Sequence, residues 1–119
     1  MEHSKEFLEL VENAKKNIAE VSVTETLKRM EEGAQLIDVR EDNEWDNGHA
    51  KGAVHLGRGI IERDILDKFP DKNTELILYC GGGFRSALSA ENLQKMGYRK
   101  VASMAGGWKH WKEENAPIE

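Results

Sequence analysis

The sequence predicts a single α/β domain built on a largely parallel sheet that is flanked by helices. Short, mostly apolar segments of strand type alternate with amphipathic segments of helix type, an order typical of parallel sheets. A length of 119 residues leaves room for one hydrophobic core, because two smaller units would barely offset their chain entropy by burial. A content of 39% hydrophobic and 33% charged residues is that of a soluble globular protein.

The N-terminal segment predicts an amphipathic helix from about Ser4 to Ile18. Its apolar side chains recur every three or four residues and therefore form one stripe. These side chains are Phe7, Val11, Ala14 and Ile18. We expect residues 1–20 to form an accessory helix on the outside of a domain that covers residues 21–119.

Capping motifs and β-branched runs define the remaining elements. Ser22 followed by Glu25 is a capping-box pattern, and the short helix that it begins stops at Gly33. The predicted strands cover residues 36–39, 53–56, 75–79 and 100–102. The predicted helices cover residues 41–47, 60–69 and 87–96, and a terminal helix begins at residue 106.

Composition and charge argue against several classes of protein. The 17 basic and 22 acidic residues give a net charge of −5, which disfavours a general nucleic-acid-binding surface. No apolar run approaches the ~20 residues that span a bilayer, and the charged segment Met1–Glu6 is unlike a secretory signal. One cysteine allows no intrachain disulfide, so we expect a cytoplasmic protein. From the net charge and the short apolar runs, we expect no nucleic-acid or membrane partner.

The chemistry concentrates at Cys80, which follows the most apolar strand at the sheet edge where α/β proteins bind ligands. Three glycines come next, and glycine lets backbone N–H groups turn inward without a Cβ in the way. Inward amides that lead into a helix N-terminus stabilise an anion, here a thiolate. Arg85 adds a permanent positive charge, and Ser86 adds a hydroxyl. A buried structural cysteine beside an ordinary glycine turn is the alternative.

Three motifs, in the same order along the chain, resemble those of single-domain rhodaneses. They are Leu36–Glu41 continued by Glu44–Trp45 and Gly48–Ala53, then Cys80–Ser86, then Gly106–Trp108 with Trp111. The resemblance covers about four-fifths of the chain, from Ser22 onward, and leaves out the N-terminal segment. It implies a rhodanese-like single domain with a central, mostly parallel five-stranded sheet flanked by helices, and an extra N-terminal helix.

The resemblance implies a sulfurtransferase that works through a persulfide on Cys80. A donor such as thiosulfate gives its sulfane sulfur to the thiolate, and cyanide or a thiol then removes it. The persulfide-binding loop consists of Gly81, Gly82, Gly83, Phe84, Arg85 and Ser86. No metal or organic cofactor is implied. The implied partners are a small sulfur donor and a thiol or cyanide acceptor, with a sulfur-acceptor protein as a further partner.

Two other activities stay open. Related Cys-based phosphatases and arsenate reductases carry a C-x5-R loop, whereas four residues separate Cys80 from Arg85 in this chain. The shorter ring of amides suits a single outer sulfur better than a tetrahedral oxyanion. The second alternative is a non-enzymatic sulfur-relay or regulatory binding module. Some thiosulfate-using relatives carry basic residues where this chain has Gly81–Gly83, so the donor also stays open.

Four residues of the first motif are expected to support the site structurally. The family pattern makes Asp38 architectural rather than a general base. Arg40 and Glu44, four residues apart, are expected to pair and to fix the segment after the strand. His49 is expected to make structural hydrogen bonds, because a loop that already stabilises the thiolate needs no neighbouring base.

Arg58 is a candidate substrate contact. The resemblance places its loop near the mouth of the site, where its charge would hold the anionic tail of a substrate, and a solvated surface arginine is the alternative. A zinc site made of His49, His55 and Cys80 is disfavoured, because the three residues contain no closely spaced ligand pair.

Overall fold

A five-stranded parallel sheet lies at the centre of the computed structural model, which describes residues 3–119. The strands are β1 (Ala19–Val21), β2 (Gln35–Asp38), β3 (Val54–His55), β4 (Leu76–Tyr79) and β5 (Val101–Met104). The helices are α1 (Lys5–Lys15), α2 (Val23–Glu31), α3 (Asp42–Asp46), α4 (Ile61–Lys68), α5 (Phe84–Lys95) and α6 (Gly107–Glu113). The strand order is β1-β5-β4-β2-β3, and every pair of neighbours is parallel. The predicted fold class is confirmed.

Strand β4 lies in the middle of the sheet, and helices cover both of its faces. All four of its side chains are fully buried. Leu76 and Leu78 pack with residues of α4 and α5 on one face, whereas Ile77 and Tyr79 pack toward Trp111 of α6 on the other. A continuous apolar run is the pattern expected for a parallel strand buried on both faces.

The parallel arrangement brings the chemical motifs to one edge of the sheet. The carboxyl end of β4 carries Cys80, and the carboxyl end of the neighbouring strand β2 carries Asp38. On the other side of β4, strand β5 ends just before Gly106 and the start of α6. Residues far apart in sequence therefore meet around Cys80, as expected for the ligand-binding edge of an α/β sheet.

Side-chain caps define the starts of the first two helices. The Ser4 hydroxyl accepts a hydrogen bond from the Phe7 N–H at 3.0 Å, and the Ser22 hydroxyl accepts one from the Glu25 N–H at 3.0 Å. Each bond satisfies one N–H that the first turn of a helix leaves unpaired. The helix start predicted from Ser22 is confirmed.

Strand β1 is an element that the sequence did not predict. Helix α1 ends at Lys15 rather than at Ile18, and Ala19–Val21 then pairs in parallel with β5 at the sheet edge. Two of the three strand side chains are exposed, so the segment has no apolar run of its own. The last strand also reaches Met104, beyond the expected end at residue 102.

Helix α1 packs along α5, the helix that follows the Cys80 loop. Val11 and Ala14 of α1 are buried against Ala87 and Leu88 of α5. Phe7 and Phe84 extend this contact toward the loop. The first two residues of the predicted accessory segment lie outside the described residues. Within residues 3–119, no helix is both long and apolar enough to cross a membrane.

Candidate active site

Cys80 lies between the central strand and the long helix α5. It directly follows β4, and residues 81–83 connect it to the first turn of α5. Its side chain is only 1% exposed, so a reactant reaches the sulfur only through the cavity that Cys80 lines. The sequence placed this residue correctly, because a buried strand followed by glycines allows few other arrangements.

Backbone amides of the loop point at the Cys80 sulfur. The Gly83 N–H donates to Sγ at 3.1 Å, and the Ser86 N–H donates at 3.4 Å. Gly83 has a φ of +99°, a conformation that favours glycine, and it is the N-cap residue of α5. The sulfur therefore faces the positive end of a twelve-residue helix, which stabilises negative charge at that point.

Helix α6 binds the two peptide groups that lie between Cys80 and Gly82, just before the Gly83 amide. The Trp108 N–H donates to the Cys80 carbonyl at 2.7 Å, and the Lys109 N–H donates to the Gly81 carbonyl at 3.2 Å. Gly107 makes this approach possible, because a Cβ on it would lie 2.2 Å from the Cys80 carbonyl oxygen. The carbonyls of the loop are thus held toward α6 and away from Sγ.

A pair of serine hydroxyls lies beneath the sulfur. Ser86 Oγ is 3.5 Å from Cys80 Sγ and 2.8 Å from Ser103 Oγ, which belongs to β5. Both serines are fully buried. A hydroxyl has one proton to donate. If Ser86 donates its proton to Ser103, it has none for the sulfur. If Ser103 donates to Ser86 instead, the Ser86 proton is free to bind the sulfur.

Arg85 pairs with Glu44, which corrects the expected Arg40–Glu44 pair. Arg85 Nη1 lies 2.8 Å from Glu44 Oε1, and Nη2 lies 3.1 Å from Oε2, so the guanidinium binds the carboxylate through two parallel hydrogen bonds. Arg85 holds the pKa of Glu44 below its ordinary value, and Glu44 raises the pKa of Arg85. The charge of Arg85 is therefore offset by a neighbouring carboxylate.

Arg40 instead forms a buried pair with Asp38 behind the loop. Arg40 Nη2 lies 2.7 Å from Asp38 Oδ2, and the Tyr79 hydroxyl donates to the same oxygen at 2.6 Å. Burial first, and the Asp38 carboxylate second, raise the pKa of Tyr79. Removing one partner of such a pair leaves an uncompensated buried charge and costs about 3–5 kcal/mol. The Tyr79 hydroxyl links this pair at the end of β2 to β4, the strand that leads into Cys80.

His49 of the first motif and His55, two residues after the motif, stack on Trp45 and do not line the Cys80 cavity. The His49 ring lies 3.4 Å from the Trp45 ring between centroids, and His49 Nδ1 lies 3.1 Å from the Trp45 carbonyl oxygen. His55 Nε2 lies 2.8 Å from the Arg40 carbonyl oxygen. Since a carbonyl only accepts, each of these ring nitrogens carries the proton.

A cavity of about 560 Å³ opens from Cys80 to the surface. Its charged lining residues are Glu44, Arg58 and Arg85, its aromatic ones are His3, Phe7 and Phe84, and Cys80 and Gly82 complete it. The structure thus brings Arg58 to the cavity with the loop. Sequence reasoning missed His3 and Phe7, because an apolar stripe indicates that a helix packs but not which surface its end reaches.

The chain belongs to the rhodanese family. The family model for the rhodanese-like domain matches residues 22–114, which include β2, the Cys80 loop and α6 but not α1. The match agrees with the resemblance stated from the motifs.

Two curated relatives and one solved structure are similar to this chain. Thiosulfate sulfurtransferase GlpE of Haemophilus influenzae is 30% identical over 84% of this chain and 93% of its own length. A Bacillus subtilis protein, "Putative sulfur carrier protein YrkF", is 30% identical over 84% of this chain, which spans only 54% of that relative. The solved structure of RPA3614 from Rhodopseudomonas palustris, a "Possible Tyrosine Phosphatase", has a TM-score of 0.85 at 25% identity and covers 100% of this chain and 98% of its own.

Proposed function

We propose that this protein is a thiosulfate-type sulfurtransferase that carries sulfane sulfur as a persulfide on Cys80. The observation that supports it best is the convergence of the Gly83 and Ser86 amides on the Cys80 sulfur at 3.1 and 3.4 Å. Sulfurtransferase GlpE, which aligns with 84% of this chain, supports the same activity. The reaction belongs to a reducing, cytoplasmic compartment, because the nucleophile must stay a free thiol.

The reaction consists of two transfers that balance in atoms and charge. In the first, the Cys80 thiolate attacks the outer sulfur of thiosulfate. The new bond joins the two sulfurs, the S–S bond of thiosulfate breaks, and its electron pair leaves with sulfite. In the second, cyanide or a thiolate attacks the outer sulfur of the persulfide, and the thiolate of Cys80 is regenerated. Such covalent catalysis predicts ping-pong kinetics.

The loop stabilises the negative sulfur in both the thiolate and the persulfide. Its backbone is fixed before the reaction begins, because the Trp108 and Lys109 N–H groups of α6 bind the carbonyls of Cys80 and Gly81, which precede the Gly83 amide. Fixed dipoles need no rearrangement when charge moves, and this is their advantage over solvent. The Ser86 hydroxyl, 3.5 Å from Sγ, adds a donor that can reorient as the outer sulfur arrives and leaves.

Intact mass spectrometry tests the proposal. We expect thiosulfate to add one sulfur atom to the wild-type protein, cyanide to remove it, and Cys80→Ser to remain folded without gaining mass. Thiocyanate formed well beyond one equivalent per protein identifies an enzyme, whereas formation that stops at one equivalent identifies a sulfur carrier. A wild-type mass unchanged by thiosulfate, by mercaptopyruvate and by an organic thiosulfonate would refute the persulfide.

A Cys-based phosphatase is the second candidate, because RPA3614 resembles the whole chain with a TM-score of 0.85. The four-residue spacing between Cys80 and Arg85 opposes it. Arg85 also donates to Glu44 through both terminal nitrogens, so its fork is not free to bind two phosphate oxygens. We expect negligible turnover of p-nitrophenyl phosphate, and turnover that disappears in Cys80→Ser would favour the phosphatase.

A further inference from the structure

Helix α1, which lies outside the matched family domain, forms one wall of the Cys80 cavity. The family model begins at residue 22, whereas α1 covers Lys5–Lys15. Val11 and Ala14 hold the helix against α5, and this packing brings Phe7 to the cavity. An element added to the domain therefore contacts the space that a sulfur donor has to enter.

The wall that α1 contributes is aromatic. The Phe7 and Phe84 rings meet edge to face with 6.3 Å between centroids, and the His3 ring lies 4.9 Å from Phe84 and 5.1 Å from Phe7. Phe7 and Phe84 are only partly buried, so ring surface is left to contact a ligand. Aromatic pairs add stabilisation beyond the area that they bury, and thiosulfate offers no apolar surface to use it.

The charges of the cavity suit a monoanion better than a dianion. Among the arginines and carboxylates of the described lining, Arg58 and Arg85 are positive and Glu44 is negative, which leaves one net positive charge before the Cys80 thiolate is counted. Arg85 already donates two hydrogen bonds to Glu44. Within residues 3–119, no carboxylate lies within ion-pair distance of Arg58, whose side chain faces the cavity.

We infer that Phe7 and Phe84 select a monoanionic organic sulfur donor with an aromatic or similarly apolar body, rather than thiosulfate. This inference rests on the proposed sulfur transfer and names its donor class. Organic thiosulfonates, R–SO2–S⁻, and organic persulfides, R–S–S⁻, have this charge and shape. With a thiosulfonate, the Cys80 thiolate bonds to the outer sulfur, the S–S bond of the donor breaks, and the sulfinate R–SO2⁻ leaves with the electron pair.

Donor selectivity in variants of α1 tests the inference. The measurement is kcat/KM for thiocyanate formation with benzenethiosulfonate and with thiosulfate, expressed as the ratio of the two. We expect the wild-type protein to prefer benzenethiosulfonate and Phe7→Ala to lower the ratio on the order of fivefold, the size of a lost aromatic contact. Phe7→Leu keeps apolar volume without the ring and should give an intermediate ratio. It also allows the test to be made if Phe7→Ala does not fold.

Two exposed leucines of the same helix serve as matched controls. Leu8→Ala and Leu10→Ala each change an exposed side chain and leave the buried contact of Val11 with α5 intact. Both should keep the wild-type ratio. An unchanged ratio in Phe7→Ala, or an equal fall in Leu10→Ala, would overturn the inference while sulfur transfer itself stands. If neither donor loads the wild-type protein with sulfur, the proposed function fails instead.

Discussion

Gly107 offers the sharpest test of how the fold supports the loop. The residue has a φ of +52°, and a Cβ built on it would lie 2.2 Å from the Cys80 carbonyl oxygen and 3.0 Å from the Cys80 and Gly81 carbonyl carbons. Since ordinary contact begins at 3.4 Å, either the loop or the start of α6 has to retreat by about 1.2 Å in Gly107→Ala. The atom it strikes is backbone, which cannot rotate away.

The cost of this substitution has two parts. The left-handed conformation costs a residue with a Cβ roughly 1–2 kcal/mol. Retreat of α6 also breaks the 2.7 Å bond from the Trp108 N–H to the Cys80 carbonyl, a net loss of about 1 kcal/mol. We expect the free energy of unfolding to fall by about 2–3 kcal/mol in total. If the Cys80 loop moves by roughly 1 Å, persulfide formation should slow on the order of 10²-fold, because the loop amides no longer face the sulfur in the reacting geometry.

Gly33→Ala is the matched control. Gly33 also has a positive φ, +108°, but a Cβ there meets nothing within 4 Å. We expect it to lose only the conformational part, roughly 1–2 kcal/mol, and to load sulfur at the wild-type rate. Urea unfolding gives the stabilities, and mass spectrometry after short exposure to thiosulfate gives the rates. A Gly107→Ala protein no less stable than Gly33→Ala, with a wild-type loading rate, would refute this account of α6.

The remaining predictions concern charge and hydroxyl groups. Glu44→Gln removes the carboxylate from the cavity and should lower the KM for thiosulfate roughly fivefold. Asp46→Asn neutralises an exposed carboxylate on the same short helix and should leave this KM unchanged. Equal effects of the two variants would contradict a role of the Glu44 carboxylate inside the cavity. Ser86→Ala removes the hydroxyl that lies 3.5 Å from Sγ and should slow persulfide formation about tenfold. Ser89→Ala removes a buried hydroxyl that has no partner among the described residues and should leave the rate unchanged, so equal losses would argue against a specific role of the Ser86 hydroxyl.

The centre of the fold was predictable from local sequence because local sequence determines it. The apolar run of β4 predicts a strand with helices packed on both faces of its sheet, and the glycines after it permit the turn into α5. Strand β1 could not be predicted in this way. Its partner β5 lies near the other end of the chain, and only Val21 of its three side chains is buried. Long-range pairing, rather than an apolar pattern, makes it a strand.

The wrong pairing of Arg40 shows where spacing arguments end. Residues four apart face each other only when both lie on one helix, and α3 begins at Asp42, after Arg40. Arg40 instead follows a buried strand, so the nearest carboxylate is that of Asp38, two residues earlier. Glu44 is left to pair with Arg85, and no pattern in the sequence connects these two residues.

In the proposed persulfide mechanism, this exchange of partners changes which groups hold the negative sulfur. The sequence predicts that Arg85 supplies the positive charge of the loop, but both of its terminal nitrogens donate to Glu44, whose carboxylate offsets that charge. The stabilisation then depends mainly on the Gly83 and Ser86 amides, which lie 3.1 and 3.4 Å from Sγ. Amides act only when they are held in place, and α6 holds the other side of the loop. A glycine motif near the C-terminus that contacts no reactant thereby becomes part of how Cys80 reacts.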